Sequence, residues 1–302
     1  MPRLRITAGR ALIAVLVALA TPALAQWRAD NPVIRIGMIA GPDVAASRSR
    51  AEPFRAYLEQ ALDDDVELFF ANDYAALIAG QLTGRYHAAF LSATAFAAAS
   101  VTCSDCLEPA AIPTTGDGEE GYYAILVVPA GSAITSAAGL SGARLAVSAE
   151  DSIAGRLLPL ALFADAGIDL STIELVTVDS PDAAVELMLA GGADAALAWS
   201  SLAGDQAAGY SRGVLRQLVD DGRAAMANLR IAWTSPLIAY GPLAVRSDLP
   251  AEMKSELSAA MIGMAAADRD ALLAVNGALG GAFVAPPADI YQPLKLLAEA
   301  AP

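Results

Sequence analysis

The stretch Tyr122-Tyr123-Ala124-Ile125-Leu126-Val127-Val128 decides how this chain is read. It is aromatic and β-branched and carries no charge, the composition of a strand covered on both faces. Strand and helix signals alternate on its N-terminal side. Val33-Ile34-Arg35-Ile36-Gly37-Met38-Ile39 reads as a first strand and a Gly-Pro turn follows it. Residues 50–62 then place Phe54, Tyr57, Leu58 and Leu62 on one helical face. A second strand is read at 66–70. A second helix over 74–81 is preceded by the capping residues Asn72-Asp73, and a short buried strand follows at 88–91. A helix around 94–100 leads into a loop that holds two cysteines.

The pattern restarts beyond residue 128. A strand at 145–147 precedes a helix opened by Ser152 and stopped by Gly167, and a strand follows at 173–178. Ser180-Pro181-Asp182 starts another helix, Gly191-Gly192 ends it, and further strands are read at 194–199 and 229–233. Leu243-Ala244-Val245 and a helix after Leu249-Pro250 then return to the style of the first half. Such alternation indicates α/β layering. The expectation is two α/β lobes joined by two hinge crossings: residues 26–127 with 235–302 form lobe 1, and 128–234 form lobe 2. Chains of this design bind between the lobes, beyond the carboxyl ends of the strands. The loops at 72–74, 92–94, 151–155 and 180–182 are therefore the candidate ligand contacts, with Ser92, Thr94 and Ser180 among them.

The first 25 residues read as a secretory leader. Arg3, Arg5 and Arg10 precede the apolar run 11–20, and small residues occupy the −3 and −1 positions of a cut after Ala25. The run is too short to cross a bilayer. The expected compartment is the periplasm. The whole chain has 19 Lys+Arg against 33 Asp+Glu. Loss of the three leader arginines leaves 16 against 33, a net −17. That charge excludes nucleic acid and anionic membrane surfaces as partners. It leaves an anionic ligand open, because local dipoles and pocket donors can oppose the global field. Nothing in the sequence points to an oligomer, and a monomer is expected.

Cys103 and Cys106 are the only cysteines. In an exported chain such a pair usually closes a disulfide, although the spacing also suits ligand thiols or redox exchange. A structural zinc site would need two more ligands, and the chain offers one histidine, His87, so no metal is expected. A single histidine also removes most His-based catalysis. Its position after Arg85-Tyr86 suggests a surface or edge residue. No Gly-rich nucleotide loop is present, and Gly139-Leu140-Ser141-Gly142 falls short of a nucleophile elbow. The chain is expected to be a binding protein without cofactor or catalytic residues.

Several segments occur together in a telling order: Asp73-Tyr74-Ala75-Ala76, Ala89-Phe90-Leu91-Ser92, Gly121-Tyr122-Tyr123, Ser152 at a helix mouth, and Ala193-Asp194-Ala195-Ala196. Trp233-Thr234-Ser235-Pro236 and the run from Pro242 to Pro250 complete the series. In order and spacing this set resembles the PhnD-like phosphonate/phosphite/phosphate-binding proteins of ABC importers, over nearly the whole mature chain. The resemblance implies the type II periplasmic binding fold, a small oxyanion ligand and a membrane permease as partner. It places ligand contacts at Tyr74, Tyr122 and the run Ser152-Ile153-Ala154, of which only Ser152 keeps a hydroxyl. Where the family's phosphonate binders use a histidine and an acid, this chain has Pro181 and Ser200. An amino-bearing phosphonate would thus lack its acidic partner. The cysteine pair suggests an alternative, because relatives that sense arsenite carry a critical cysteine in about this region. Such a protein would signal to a membrane histidine kinase.

Overall fold

The structure is a computed structural model that describes residues 23–299. The basic and apolar parts of the leader lie outside the described residues, and the expected cut after Ala25 falls within the first helix, α1 (Ala23–Asp30). The chain continues through β1 (Val33–Ile39), α2 (Val44–Leu62), β2 (Asp65–Ala71), α3 (Tyr74–Leu82), β3 (Ala88–Phe90), α4 (Ala93–Thr102) and β4 (Leu107–Thr115). Next come β5 (Gly121–Pro129), β6 (Arg144–Val147), α5 (Leu158–Asp165), β7 (Glu174–Thr177), α6 (Pro181–Leu189), β8 (Ala195–Ser200), α7 (Val214–Asp220), β9 (Leu229–Thr234) and β10 (Ile238–Ala239). The chain closes with β11 (Leu243–Arg246), α8 (Ala251–Ala267), α9 (Arg269–Asn276), β12 (Gly280–Val284) and α10 (Gln292–Glu299).

The strands form two sheets. One has the order β12-β4-β11-β3-β1-β2, and the other β10-β5-β8-β6-β7 with β9 also on β5. Each contains a parallel trio whose first strand is central: β1 lies between β2 and β3, and β6 between β7 and β8. In each, an antiparallel strand flanks the trio on its third member, β11 on β3 and β5 on β8. This is the expected α/β design with two lobes and two crossings. The chain changes sheet at 116–120 and returns at 240–242. The decisive stretch, inside β5, pairs with β8 and β9 and so belongs to the second sheet, not to the end of the first as the sequence reading had it.

Periodicity and capping explain most elements. The carboxylate of Asp43 accepts from the Ala46 N–H and starts α2 earlier than the expected residue 50. Asp73 caps α3, Ser92 caps α4 and Ser180 caps α6 in the same way. Phe54, Leu58 and Leu62 bury against Ile34, Ile36 and Leu68 of the first sheet. Ala146, Ala196 and Ala198 do so against Val185, Met188 and Leu218 in the second. A further buried cluster joins the halves, with Ala124, Ile238 and Ala239 packed among Phe96, Ile112, Ala244 and Tyr291. The Tyr291 hydroxyl donates to the Tyr240 carbonyl at 2.5 Å, tying the segment before α10 to the return crossing.

His87 departs from its expected surface position. It is 2% exposed, and its Nδ1 accepts from the Arg35 backbone N–H at 3.1 Å. Burial, reinforced by the charges of Arg35 and Arg246, lowers its pKa to about 4, so it is neutral at pH 7. Cys103 and Cys106 are joined as a disulfide at the C-terminal end of α4. The two residues between them, Ser104 and Asp105, both take positive φ, and Asp105 pairs with Lys295 of α10.

Candidate functional site

The helix that follows β6 begins irregularly. Residues Ile153–Leu157 make one π-helical turn before α5 takes over, and the Ser152 hydroxyl accepts from the Gly155 N–H at 3.2 Å. A first turn leaves backbone donors without intrahelical partners. Here the N–H groups of Ile153 and Ala154 have none among the described residues. Gly155 is required for the close fit of the turn onto β6, because a Cβ there would lie 2.2 Å from the Ser148 hydroxyl. That hydroxyl is buried and unpartnered beneath the turn.

This turn forms one wall of a cavity of about 370 Å³, completed by Tyr122, Pro181, Trp199, Arg212 and Tyr240. Tyr122 stands edge-on to Trp199 with ring centroids 5.5 Å apart, and its centroid lies 6.2 Å from that of Tyr240. Burial raises the pKa of both phenols; at Tyr240 the charge of Arg212 works against the rise and that of Glu119 adds to it. Both therefore remain protonated at pH 7 and able to donate. Neither hydroxyl has a hydrogen-bond partner among the described residues. The cavity thus collects phenolic O–H groups, free backbone N–H groups and a guanidinium, all donors, with no carboxylate in its lining.

A second cavity lies on the first sheet. It is lined by Met38, Ile39, Tyr74, Phe90, Leu91 and Ser92, with Gly241 and residues around α9. Tyr240 and Gly241 are consecutive residues of the return crossing and line one cavity each, and the crossing runs close against the segment after β3, where the Leu91 N–H donates to the Pro242 carbonyl at 3.1 Å. Gly241 permits this approach: a Cβ there would meet the Leu91 carbonyl oxygen at 2.1 Å.

The residues singled out in the sequence are therefore divided. Tyr122, Ser152, Ile153 and Ala154 share the first cavity, while Tyr74 and Ser92 line the second, where Tyr74 is 41% exposed. The Thr94 hydroxyl stands 3.3 Å from that of Ser92 and lines neither space. The hydroxyl of Ser180 is engaged with the Asp182 carboxylate and the Ala183 N–H, and its neighbour Pro181 lines the cavity instead. Ser200 is fully buried, with its hydroxyl accepting from the Leu202 N–H; the adjacent Trp199 faces the cavity. Trp233 packs edge-on against Phe163 inside the second lobe. Arg212 and Tyr240 went unread in the sequence, since each sits in a connection with no motif around it. Neither cysteine lines either cavity. Among the described residues no cluster of three potential metal ligands occurs.

Two α/β sheets that exchange the chain twice, with a donor-lined cavity beside the return crossing, have the architecture of the type II periplasmic binding fold. The chain belongs to the family of periplasmic substrate-binding proteins of phosphonate ABC transporters, whose model matches residues 36–288. Solved structures share the architecture at low identity. XAC2383 from Xanthomonas citri, bound to ATP, is 16% identical with a TM-score of 0.57, over 89% of this chain and 96% of that one. Transferrin 1 from Manduca sexta is 14% identical with a TM-score of 0.59, over 88% of this chain and 46% of that one. A binding-protein component of a phosphonate ABC transporter from Pseudomonas aeruginosa is 23% identical with a TM-score of 0.46, over 88% of this chain and 85% of that one.

Proposed function

We propose that this protein captures a small tetrahedral oxyanion of the phosphonate, phosphite or phosphate class and delivers it to an ABC permease. The carrying observation is the set of donors without protein partners around one cavity: the hydroxyls of Tyr122 and Tyr240 and the first-turn N–H groups of Ile153 and Ala154. Unsatisfied donors in a partly dry site are costly unless a ligand accepts from them. A helix start adds a positive dipole end. Tyr74 and Ser92 on the first lobe supply the opposing wall. Closure brings the two cavities together around the ligand and biases an open–closed equilibrium toward the form that docks on the permease. The lobes are residues 26–115 with 243–302, and 121–239. The mature chain starts at Gln26, works as a monomer in the periplasm, and leaves its ligand chemically unchanged. The disulfide, and the absence of both cysteines from the lining of either cavity, favour a structural role for Cys103 and Cys106 over a thiol-based sensor.

A thermal-shift panel on residues 26–302 tests this reading with phosphate, phosphite, methylphosphonate, sulfate, arsenate and arsenite. A ligand at 100 times its Kd stabilises by about 2.7 kcal/mol. A shift with a phosphorus oxyanion that is unchanged under reductant is expected. A shift with arsenite alone, lost on Cys103→Ser, would refute it.

A further inference from the structure

We infer that Arg212 supplies the counter-charge for the bound oxyanion and makes the site selective for anions that carry no ammonium group. This rests on the oxyanion reading above and names the residue that sets its charge preference.

Arg212 is the only charged residue in the lining of the donor cavity. The chain is strongly acidic, with 33 carboxylate residues against 19 basic ones, and its arginines commonly find acids. Arg144 pairs with Asp194, Arg223 with Asp182 and Glu186, and Arg246 with Asp248. The guanidinium of Arg212 has no hydrogen-bond or ion-pair partner among the described residues, although it is half-buried. Its field does reach Tyr240, whose phenol it holds down against burial.

The backbone that carries Arg212 is anchored. Its N–H donates to the Ser201 hydroxyl at 3.2 Å, and its carbonyl accepts from the Ser201 N–H at 3.0 Å. The next residue, Gly213, takes φ +122 and bridges to Ser200, in a space where a Cβ would lie 2.6 Å from the Trp199 carbonyl oxygen. Arg212 is thus held beside Trp199 at the end of β8. An acid of that region, Glu119, has one carboxylate oxygen accepting from the Ser211 hydroxyl at 2.7 Å and lines another cavity. A planar guanidinium fits two oxygens of a tetrahedral oxyanion at once. The same charge, with no carboxylate in the lining to oppose it, repels an ammonium on the ligand.

The test is calorimetric titration of methylphosphonate and 2-aminoethylphosphonate into residues 26–302, as wild type, Arg212→Gln and Arg212→Lys. Thermal midpoints of the ligand-free proteins serve as the folding control. Arg212→Gln is expected to weaken methylphosphonate binding roughly 10- to 100-fold. Arg212→Lys should fall between, and the wild type should bind 2-aminoethylphosphonate more weakly than methylphosphonate. Wild-type affinity should also fall as NaCl rises, more steeply than in the Gln variant. Unchanged methylphosphonate affinity in a folded Arg212→Gln, or a wild-type preference for the aminated ligand, would overturn the assignment while leaving the oxyanion reading intact. If the wild type binds no anion of the wider panel, the oxyanion reading itself falls, and this assignment with it.

Discussion

The two lobes carry the same parallel trio with an antiparallel neighbour, yet they cap their helices differently. In the first lobe, the helices after β1 and β2 begin at Asp43 and Asp73, whose carboxylates accept from first-turn N–H groups. In the second, those after β6 and β7 begin at Ser152 and Ser180. A carboxylate cap neutralises the positive end of a helix, whereas a hydroxyl leaves it positive. The first lobe therefore neutralises the helix starts after β1 and β2 internally, α4 with its Ser92 hydroxyl cap being the exception, and lines its cavity mostly with apolar residues beside Tyr74 and Ser92. The second keeps free N–H groups and Arg212 for a ligand. On the proposed function, one topology thus supports a passive wall and an anion-binding wall, and the caps after the first two strands of each trio differ accordingly.

That contrast can be broken in several ways, the largest expected effect coming first. Gly241→Ala places a Cβ 2.1 Å from a backbone oxygen, so the return crossing must shift. A loss of about 3 kcal/mol or more is expected in urea unfolding. Gly155→Ala meets the hydroxyls of Ser148 and Ser152, which can turn away, and the Ser148 Cβ at 2.8 Å, which yields only by a small backbone shift. It should cost about 1–2 kcal/mol and act mainly on ligand affinity. A Gly155 variant less stable than the Gly241 variant would contradict this ranking.

Acid should loosen the first lobe before the second. His87 lies in the first sheet with its pKa lowered from 6.5 to about 4. The folded state thus refuses a proton that the unfolded chain accepts. The stability due to neutral His87 is complete above pH 6.5 and is lost as pH falls toward 4, up to ~3 kcal/mol. His87→Gln should flatten that part of the stability–pH curve; an unchanged slope between pH 6.5 and 4 would refute the assignment. Reduction of Cys103–Cys106 should cost about 2 kcal/mol or less, because the loop is short. It should leave oxyanion affinity unchanged, as neither cysteine lines either cavity. Tyr291→Phe, which removes the bond to the Tyr240 carbonyl, should cost about 1 kcal/mol and be visible as faster hydrogen exchange at the return crossing.

Much of this architecture is legible in the residues. The strands β1, β5 and β8 show as apolar runs, and Asp73, Ser152 and Ser180 cap helices where the sequence places their starts. β4 is hidden because Pro109 and Pro113 argue against a strand. It survives by pairing with β11 and β12 through irregular registers. The lobe boundary at β5 is also illegible, since an apolar strand does not reveal which sheet it joins. His87 misleads because its polar neighbours suggest surface, while its partner Arg35 is distant in sequence. Tyr122 enters the candidate site through the resemblance, as the tyrosine after Gly121, and Ser152 through the resemblance and its place at a helix mouth. Arg212 and Tyr240 lie in connections, and only the folded chain brings them beside Tyr122.

The central claim is that one oxyanion bridges the two walls, and calorimetric titration of methylphosphonate into Tyr74→Phe, Tyr122→Phe and the double variant tests it most directly. Each single change should weaken binding several-fold by removing one hydrogen bond, and the double variant should bind more weakly than either, with the ligand-free thermal midpoints unchanged. Wild-type affinity in the double variant would show that the ligand is held elsewhere.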